Sequence, residues 1–546
     1  MKKWQKWTTA VVVVAAVAGG TKAAGWWGSN PSSDKNTLNY AMSADVQTLD
    51  TSKATDQYSN LVLGNTESNL LRVNSKGEPA PDLAKSYKVS DDGLTYTVEL
   101  RSGLKWSDGS KLTAKDVVYS WQRMVNPKTA SQYSYLASGV LNADDIMAGK
   151  KDVSELGVSA SGNTITFKLD HAMPQFKYLL AFANFAPQKE SVVNKEGDKY
   201  GTTADKQIYS GAYKFEGWNG TNGKFKMVKN DNYWDAKNVK TKTVNWQVVK
   251  NPDTALKLYK QGKIDRVSIS NSPEMYSANK NNKDVKSAAV AAATYLEYNQ
   301  ANNAFLKNQK IRQALNLATN RTELASQATG GTRDAAVSLV SKGLTKTTSG
   351  EDLAAYVKPG YTYDKKKAQQ LFKEGLAEVN QGKMKISLET DADSVISKNT
   401  VDYIKQAWES TFGSDIEVTE KVVPFKQRLK DSQSGDFDVV VTNWNGDYQD
   451  GSTFYDLFAS KDAGYNDGKF TNESYFAAVK KADTTDATNA SARQDDFKDA
   501  EKALMDDANI NPLYSWKASS LVRSNVKGVV ESPVGLTLDL TYAHRK

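Results

Sequence analysis

Cysteine is absent from this 546-residue chain, and histidine occurs only twice, at His171 and His544. Without cysteine there is no disulfide, no zinc–thiolate site and no thiol nucleophile. Two histidines are too few for a histidine metal cluster, and a histidine-based catalytic triad is not expected either. We therefore expect no metal and no other cofactor, and we interpret both histidines as surface or strand-end residues.

The net charge is small once the first 25 residues are set aside. The formal charge is +8, but four lysines lie in the first 25 residues, which contain no acidic residue. The rest of the chain holds 67 basic and 63 acidic residues, with no basic run interleaved with aromatics. This pattern does not favour a nucleic-acid partner. Glycine-rich phosphate-binding motifs are missing as well.

Length and composition indicate a globular protein of two or three domains. The chain is 39% hydrophobic and 25% charged, and 546 residues exceed what one core can bury. Its start, "MKKWQK", precedes an apolar run from Ala10 to Gly20 that is too short to span a bilayer. We interpret residues 1–25 as a signal peptide and residues 26–36 as a flexible tether.

Strand and helix patterns are mixed along the rest of the chain, without a regular βαβ order. "LTYTVEL", "NTITFKL" and "KMKISLE" alternate apolar and polar residues, which predicts half-buried strands. "AKDVVYSWQRMV" follows Thr113, with Asp116 in the position of a capping box. "NQKIRQALNLATNRTEL" and "ARQDDFKDAEKALMDD" each predict an amphipathic helix. Trp121 lies on the apolar face of its helix and is predicted to be a core residue.

The stretch "FDVVVTNWNGDYQDGSTF", residues 437–454, combines a buried strand with a polar turn. The turn contains Trp444, Asp447, Tyr448 and Asp450. Because the stretch "NGDYQDG" is rich in turn-forming residues, Asp447 fits an ordinary turn aspartate as well as a binding group. Asp447 and Asp450 also allow a paired-carboxylate glycosidase, although nothing in the sequence defines their separation.

Residues 83–131 closely resemble the signature region of the peptide-binding proteins of ATP-driven importers, the extracellular solute-binding proteins of family 5. The resemblance pairs "LRSGLKWSDG" with "LTAKDVVYSWQR". It extends through "YSGAYKFEGWNGTNGKFKMVKNDNYWD", "LYKQGKID" and "FDVVVTNWNGDYQD", so it covers nearly the whole mature chain. Within the family it is nearest to the oligopeptide binders of Gram-positive type.

The resemblance implies a mixed α/β fold of the periplasmic-binding-protein-like type II (cluster C). Two lobes, joined by a hinge of paired strands, would close over the ligand, and a third domain would pack on the first lobe. The expected boundaries are 36–68, 187–290 and 511–546 for lobe I, 69–186 for the extra domain and 291–510 for lobe II.

The implied function is a non-enzymatic receptor at the cell surface. It would bind oligopeptides and deliver them to the membrane permease of an ABC importer, acting as a monomer. A signalling peptide, a dipeptide or another small solute of the same family remains an alternative ligand, and a nickel chelate is disfavoured by the lack of suitable ligands. A hydrolase or a surface adhesin would be the alternatives outside the family.

The resemblance also implies the binding residues. Asp447 matches the carboxylate that pairs with the peptide's ammonium group, which is a charge-assisted hydrogen bond. The other expected contacts are the backbone of Asn443, Trp444 and Asn445 on one lobe, Ala54, Thr55, Asp56 and Gln57 on the other, and the aromatic residues Tyr133, Trp408, Tyr514 and Trp516 at or near the cavity. For Trp444, an inward-pointing ring with only its backbone at the ligand remains an alternative.

The chain departs from the family pattern at three positions. Val441 stands where an arginine would bind the peptide's carboxyl end, so longer peptides are expected to run on into solvent. Thr55 lies where an acidic residue is expected, and Asp56 is the candidate to replace it. Trp26 stands where Gram-positive members carry a lipidated cysteine, so the protein is expected to be released or held by an uncleaved signal.

Overall fold

The computed structural model describes residues 34–74, 77–270, 272–359, 362–392, 394–534 and 538–546. The predicted signal peptide and most of the predicted tether lie outside these residues. None of the helices in these ranges is long and apolar enough to cross a membrane.

Strands are spread over the whole of the described chain. They are β1 (Thr37–Met42), β2 (Leu71–Val73), β3 (Pro79–Pro81), β4 (Ala84–Val89), β5 (Thr95–Leu100), β6 (Val158–Ser161), β7 (Thr164–Lys168), β8 (Tyr213–Glu216), β9 (Lys224–Lys229), β10 (Thr243–Val248), β11 (Arg266–Ser268), β12 (Val285–Tyr298), β13 (Arg333–Ala335), β14 (Met384–Asp391), β15 (Ile416–Val423), β16 (Val439–Asn445), β17 (Ile510–Val522), β18 (Val526–Lys527) and β19 (His544–Arg545).

Helices are concentrated in the second half of the chain. They are α1 (Gln57–Thr66), α2 (Ala114–Val125), α3 (Ala143–Met147), α4 (Phe176–Leu179), α5 (Glu190–Glu196), α6 (Pro252–Lys260), α7 (Pro273–Asn279), α8 (Ala304–Lys307), α9 (Gln309–Leu317), α10 (Arg321–Gln327), α11 (Leu353–Tyr356), α12 (Lys365–Val379), α13 (Val395–Phe412), α14 (Phe425–Ser434), α15 (Ser452–Tyr455), α16 (Glu473–Asp483) and α17 (Ala490–Asp506).

The described residues form three large sheets and two two-stranded ones, β2-β3 and β18-β19, and the large sheets carry the main buried clusters. Sheet A has the order β1-β10-β9-β8, sheet B the order β4-β5-β7-β6, and sheet C the order β11-β17-β12-β16-β14-β15, with β13 on β17. We call each sheet with its packed residues the A, B or C body. The A body is built from three separate chain segments, the B body mainly from residues 70–185, and the C body mainly from residues 291–514.

The mixed α/β architecture confirms the predicted fold class, and two long strands supply the predicted hinge. β12 and β17 pair antiparallel over most of their lengths. Near one end of this pair, Asp265 beside β11 accepts a 2.8 Å hydrogen bond from the Asn39 amide in the A body. The other end lies within the C body. The domain boundaries stay a prediction, and Leu513 and Tyr514 pack in the C body although both fall within the segment expected for lobe I.

Predictions that rest on residues close together in the chain mostly agree with the structure. The predicted strands appear as β5, β7 and β14, and Thr113 and Asp116 form the predicted capping box of α2. Trp121 is fully buried, as predicted. One helix prediction was wrong: "NQKIRQALNLATNRTEL" forms α9 and α10 rather than one helix. Asn320 interrupts it, because its side chain accepts a hydrogen bond from the Glu323 amide and caps a new helix.

Candidate functional site

Asp447 lies in the turn that follows β16, and hydrogen bonds hold this turn against its surroundings. The Gly446 amide donates to the Ala291 carbonyl at 2.6 Å. The Asp447 amide donates to the Thr453 hydroxyl at 2.9 Å. These two hydrogen bonds fix the backbone on either side of the Asp447 carboxylate.

The environment of the Asp447 carboxylate is poorly solvated. Its Oδ2 accepts a hydrogen bond from the Tyr135 hydroxyl at 3.3 Å, and burial raises the pKa of the carboxyl group to about 6. The group is still mainly ionised at neutral pH. A half-buried, ionised carboxylate that accepts only one hydrogen bond from the described residues is well suited to pair with an ammonium group.

Aromatic side chains surround this carboxylate from two bodies. Trp444 and Tyr465 of the C body meet edge to face with ring centroids 4.5 Å apart. In the B body, the Tyr133 ring lies 6.3 Å from that of Tyr135. Burial and, after it, the negative charge of Asp447 raise the pKa of Tyr133 to about 12. The expected position of Tyr133 at or near the ligand cavity stays a prediction.

One edge of β16 is open next to this carboxylate. Residues Val439–Asn445 pair with β12 along one edge. On the other edge only Val439 and Val440 pair with β14, and in the described residues no strand covers that edge from Val441 onward. Asn443 and Trp444 are half-buried and Asn445 is exposed. Unpaired backbone donors and acceptors of this kind can accept an additional extended chain.

Of the residues predicted to contact the ligand from the lobe opposite Asp447, only some are exposed. Thr55 and Gln57 are exposed, and the Tyr133 hydroxyl lies 3.5 Å from the Thr55 carbonyl. Ala54 is fully buried, and its carbonyl accepts a hydrogen bond from Asn184 at 2.6 Å. The expectation that Ala54 offers itself to a ligand is therefore wrong.

Asp56 has a local role that the sequence reasoning missed. Its carboxylate accepts hydrogen bonds from the amides of Tyr58 and Ser59 at 3.0 and 2.9 Å, so it caps α1. Both capping hydrogen bonds go to Oδ1, so the expectation that Asp56 replaces the acidic residue at Thr55 stays a prediction.

Two of the predicted aromatic contacts are also wrong. Trp408 is fully buried in the C body, where its Nε1 donates to the Leu315 carbonyl at 3.1 Å. Tyr514 is 2% exposed, and its hydroxyl lies 3.2 Å from that of Thr400. Trp516 is half-buried and donates to the Thr294 hydroxyl at 2.9 Å, and its ligand contact stays a prediction.

The second carboxylate of the turn, Asp450, is neutralised within the protein. It forms an ion pair with Arg493 at 2.7 Å. Burial alone would raise the pKa of Asp450, but the Arg493 guanidinium outweighs burial and holds the pKa below its ordinary value. Asp447 and Asp450 therefore have separate environments: Asp450 is paired with a guanidinium group, whereas Asp447 accepts a hydrogen bond from a phenol.

Three further residues at this site were missed. Tyr135 donates a hydrogen bond to Asp447, Tyr465 meets Trp444 edge to face, and Arg428 of α14 donates to the Thr442 hydroxyl at 3.2 Å, one residue from Val441. The only sequence signal for Tyr135 was the repeat of tyrosine in "QYSY", and neither Tyr465 nor Arg428 stands in a distinctive motif.

A small cavity behind Asp447 shows that three bodies meet at this point. It measures about 60 Å³ and is lined by Asn60 and Glu67 of the A body, Tyr178 and Phe182 of the B body and Asp447 of the C body. A ligand at Asp447 would therefore contact, or lie beside, all three parts of the molecule.

Comparisons with known proteins agree with this geometry. Residues 78–466 match the model of the bacterial extracellular solute-binding proteins, family 5. The dipeptide-binding protein of Lactococcus lactis subsp. cremoris is 43% identical over 532 residues, which are 95% of this chain and 96% of that protein.

Two solved structures are similar over almost the whole chain. Listeria monocytogenes OppA bound to peptide is 33% identical, with a TM-score of 0.76 and coverage of 94% of this chain and 100% of that one. The substrate-binding domain of an oligopeptide ABC transporter from Bacillus anthracis is 33% identical, with a TM-score of 0.77 and coverage of 94% and 99%.

Proposed function

Because the chain belongs to the bacterial extracellular solute-binding proteins of family 5, we propose that it is a receptor for short peptides. It binds them outside the cytoplasm and delivers them to the permease of an ABC importer. It performs no chemistry on them. We also propose that it acts as a monomer outside the cytoplasm, either released or held at the cell surface by an uncleaved signal.

The observation that carries this proposal is the position of Asp447 two residues beyond the open edge of β16. Every peptide with a free amino end has an ammonium group followed by amide donors and carbonyl acceptors. A carboxylate and an open strand edge match both features without reading side chains. Each backbone hydrogen bond contributes about 0.5–1.5 kcal/mol and the charged bond about 1.5–3 kcal/mol, so several together suffice for binding.

A dipeptide or another very short peptide is the second candidate ligand. It is favoured by the 43% identity to the Lactococcus lactis dipeptide-binding protein. Mass spectrometry of ligands released by denaturing the purified protein distinguishes the two. Mixed peptides of three or more residues support the oligopeptide receptor, dipeptides alone support the second candidate, and a non-peptide solute contradicts both.

The role of Asp447 is tested with the substitution Asp447→Ala. We expect the variant to lose at least about tenfold in affinity for free-amine peptides and little for their N-acetylated forms, because only the former carry the charge. Asp402→Ala, at an exposed position on α13, is the matched control and should bind like the parent protein. Equal losses for free and acetylated peptides would remove Asp447 from this role.

A further inference from the structure

A larger cavity is lined by the residues that follow Asp447 and Tyr448 in the chain. It measures about 550 Å³ and lies between the B body and the C body. Gln449, Asp450 and Gly451 line it, whereas Asp447 and Tyr448 line the smaller cavity of about 60 Å³. Sites for small molecules commonly measure about 300–1,000 Å³, so the larger cavity has room for a ligand of its own.

The B-body wall of this cavity offers apolar surface. Tyr87 and Val89 both line it, and both belong to β4. They are two residues apart, so their side chains lie on the same face of the strand. Tyr87 is half-buried and Val89 is 41% exposed, so part of each side chain is accessible to a ligand.

The charges on the cavity walls are not balanced within the protein. Asp450 and Arg493 neutralise each other through their ion pair at 2.7 Å. The other charged side chains of the walls are Lys177, Lys346 and the exposed Asp91. Neither lysine forms an ion pair with any of the described residues. Two lysines against one aspartate give the cavity an excess of positive charge, which attracts an anion.

The two lysines come from opposite walls. Lys177 belongs to α4 of the B body, and its Nζ lies 5.6 Å from the centroid of the Tyr178 ring, which also lines the cavity. Lys346 belongs to the C body, where it is exposed. An anion that pairs with both lysines therefore links the B body to the C body.

Gln449 adds an unused hydrogen-bond acceptor at the same boundary. Its side chain is 7% exposed, and its Nε2 donates to the Leu344 carbonyl at 3.2 Å. Its Oε1 is buried and has no hydrogen-bond partner among the described residues. A Cβ built on Gly77 of the B body would lie 3.3 Å from this Oε1. A buried acceptor without a donor is costly, so an N–H or O–H group of a ligand would stabilise it.

We propose that this cavity is a second binding site, which takes a small organic anion that also carries a hydrogen-bond donor. A hydroxylated aromatic carboxylate has all the matching features. Its carboxylate pairs with Lys177 and Lys346. Its ring packs against Tyr87 and Val89, and its hydroxyl group donates to Gln449 Oε1.

Titration calorimetry with para-hydroxyphenylacetate tests this proposal. The probe is compared with para-hydroxyphenylacetamide, which lacks the charge, and with phenylacetate, which lacks the hydroxyl group. We expect the amide to bind at least about tenfold more weakly than the probe, because it cannot pair with a lysine. Phenylacetate should bind about three- to tenfold more weakly, because it leaves Gln449 without a donor. No binding of the probe, or equal binding of the probe and either analogue, would overturn the proposal.

Glutamine variants of the two lysines show where the probe binds. Lys177→Gln and Lys346→Gln should each weaken binding of para-hydroxyphenylacetate about fivefold or more, and should leave binding of the amide unchanged. Lys237→Gln, at an exposed position of the A body, is the matched control and should bind the probe like the parent protein. Parent-like affinity in either cavity variant contradicts the proposal, because the anion pairs with both lysines.

Competition with a peptide separates this site from the one at Asp447. The probe titration is repeated in the presence of saturating alanine tripeptide, and again with the Asp447→Ala variant. We expect the tripeptide not to displace the probe, and the variant to bind the probe like the parent protein. Displacement by the tripeptide, or loss of probe binding in the variant, would place the probe in the peptide site and rule out a second site.

Discussion

At the scale of single residues, burial of Asp447 has two opposite consequences. It raises the pKa of the carboxyl group to about 6, and it weakens competition from water for an incoming cation. The carboxyl group is therefore costly to ionise in the empty site and effective when it pairs. Tyr133, Tyr135 and Tyr465 face the same group, but their pKa values are raised, so they do not titrate in the same range.

Peptide affinity should consequently fall in mild acid. At pH 5, one unit below the pKa, about a tenth of Asp447 is ionised, so affinity should be about tenfold weaker than at pH 7.5. Titration calorimetry across pH 4.5–8 measures this. The Asp447→Asn variant should bind more weakly but show no such step. A step of the same size in that variant would assign the titration to another group.

At the scale of helices and strands, helix capping and strand pairing account for the roles of several residues around the site. Asp56 closes the start of α1, and Asn320 separates α9 from α10. β16 is paired on both edges at its beginning and on one edge at its end. The same short stretch of strand thus belongs to the core at Val439 and presents an open edge at Asn445.

Substitution of Asp56 should affect stability more than binding. Asp56→Ala removes the acceptor that caps α1 and should lower the free energy of unfolding by about 1 kcal/mol, as measured by urea denaturation. Asp56→Asn retains a capping oxygen and should be close to the parent protein. A large loss of peptide affinity in the asparagine variant, with stability unchanged, would support a binding role for Asp56.

Pairing of the ligand with β16 should appear as a period of two along the peptide. Neighbouring amides of an extended chain point in opposite directions, so only alternate amides can reach the open edge. Replacing one amide at a time by an ester should weaken binding about two- to tenfold at every second position and little between. A uniform effect along the peptide would argue against strand pairing.

At the scale of the whole molecule, the B body contacts the C body beyond the site itself. A cavity of about 550 Å³ lies between them, lined by Tyr87 and Tyr96 on one side and by Arg493 and Phe497 on the other. At its margin the turn at Gly93 packs against Thr488 of the C body. If the two bodies joined by the hinge strands close over a ligand, we expect this contact between the B and C bodies to take part.

The Gly93 contact gives a test of this closure. A Cβ at Gly93 would lie 2.9 Å from Thr488 Cγ2 of the C body and 3.0 Å from Ala172 Cβ of the B body, and its φ of +71° disfavours other residues. Gly93→Ala should weaken peptide binding and also lower stability by about 1 kcal/mol. Gly103→Ala is the matched control, because its φ is +75° and nothing lies within 4 Å of its added Cβ. It should lose stability alone.

The second substitution Thr488→Ser removes the opposing methyl group. Combined with Gly93→Ala, it should restore part of the peptide affinity. It should not restore stability, because the backbone strain that alanine introduces at position 93 remains. If Gly93→Ala and Gly103→Ala have the same affinity as the parent protein, contact between the B and C bodies does not contribute to the bound state.

By itself, the sequence determined what depends on neighbours in the chain. The alternation of Tyr96 and Val98, the capping box of Thr113 and Asp116, and the turn that carries Asp447 could all be read from nearby residues. The family resemblance extended this to the fold and to the carboxylate that we propose as the partner of the peptide's ammonium group. These features are local because hydrogen bonds and side-chain periodicity act over a few residues.

Only the tertiary structure decided which distant side chains meet and which way each one faces. Tyr135 reaches Asp447 across 312 positions of sequence, and Arg428 reaches the edge of β16 from a separate helix. Trp408 and Tyr514 are buried in the core. The sequence could not show this, because an aromatic side chain suits an interior and a binding cavity equally well. Their burial depends on how separate segments pack, and no local pattern records it.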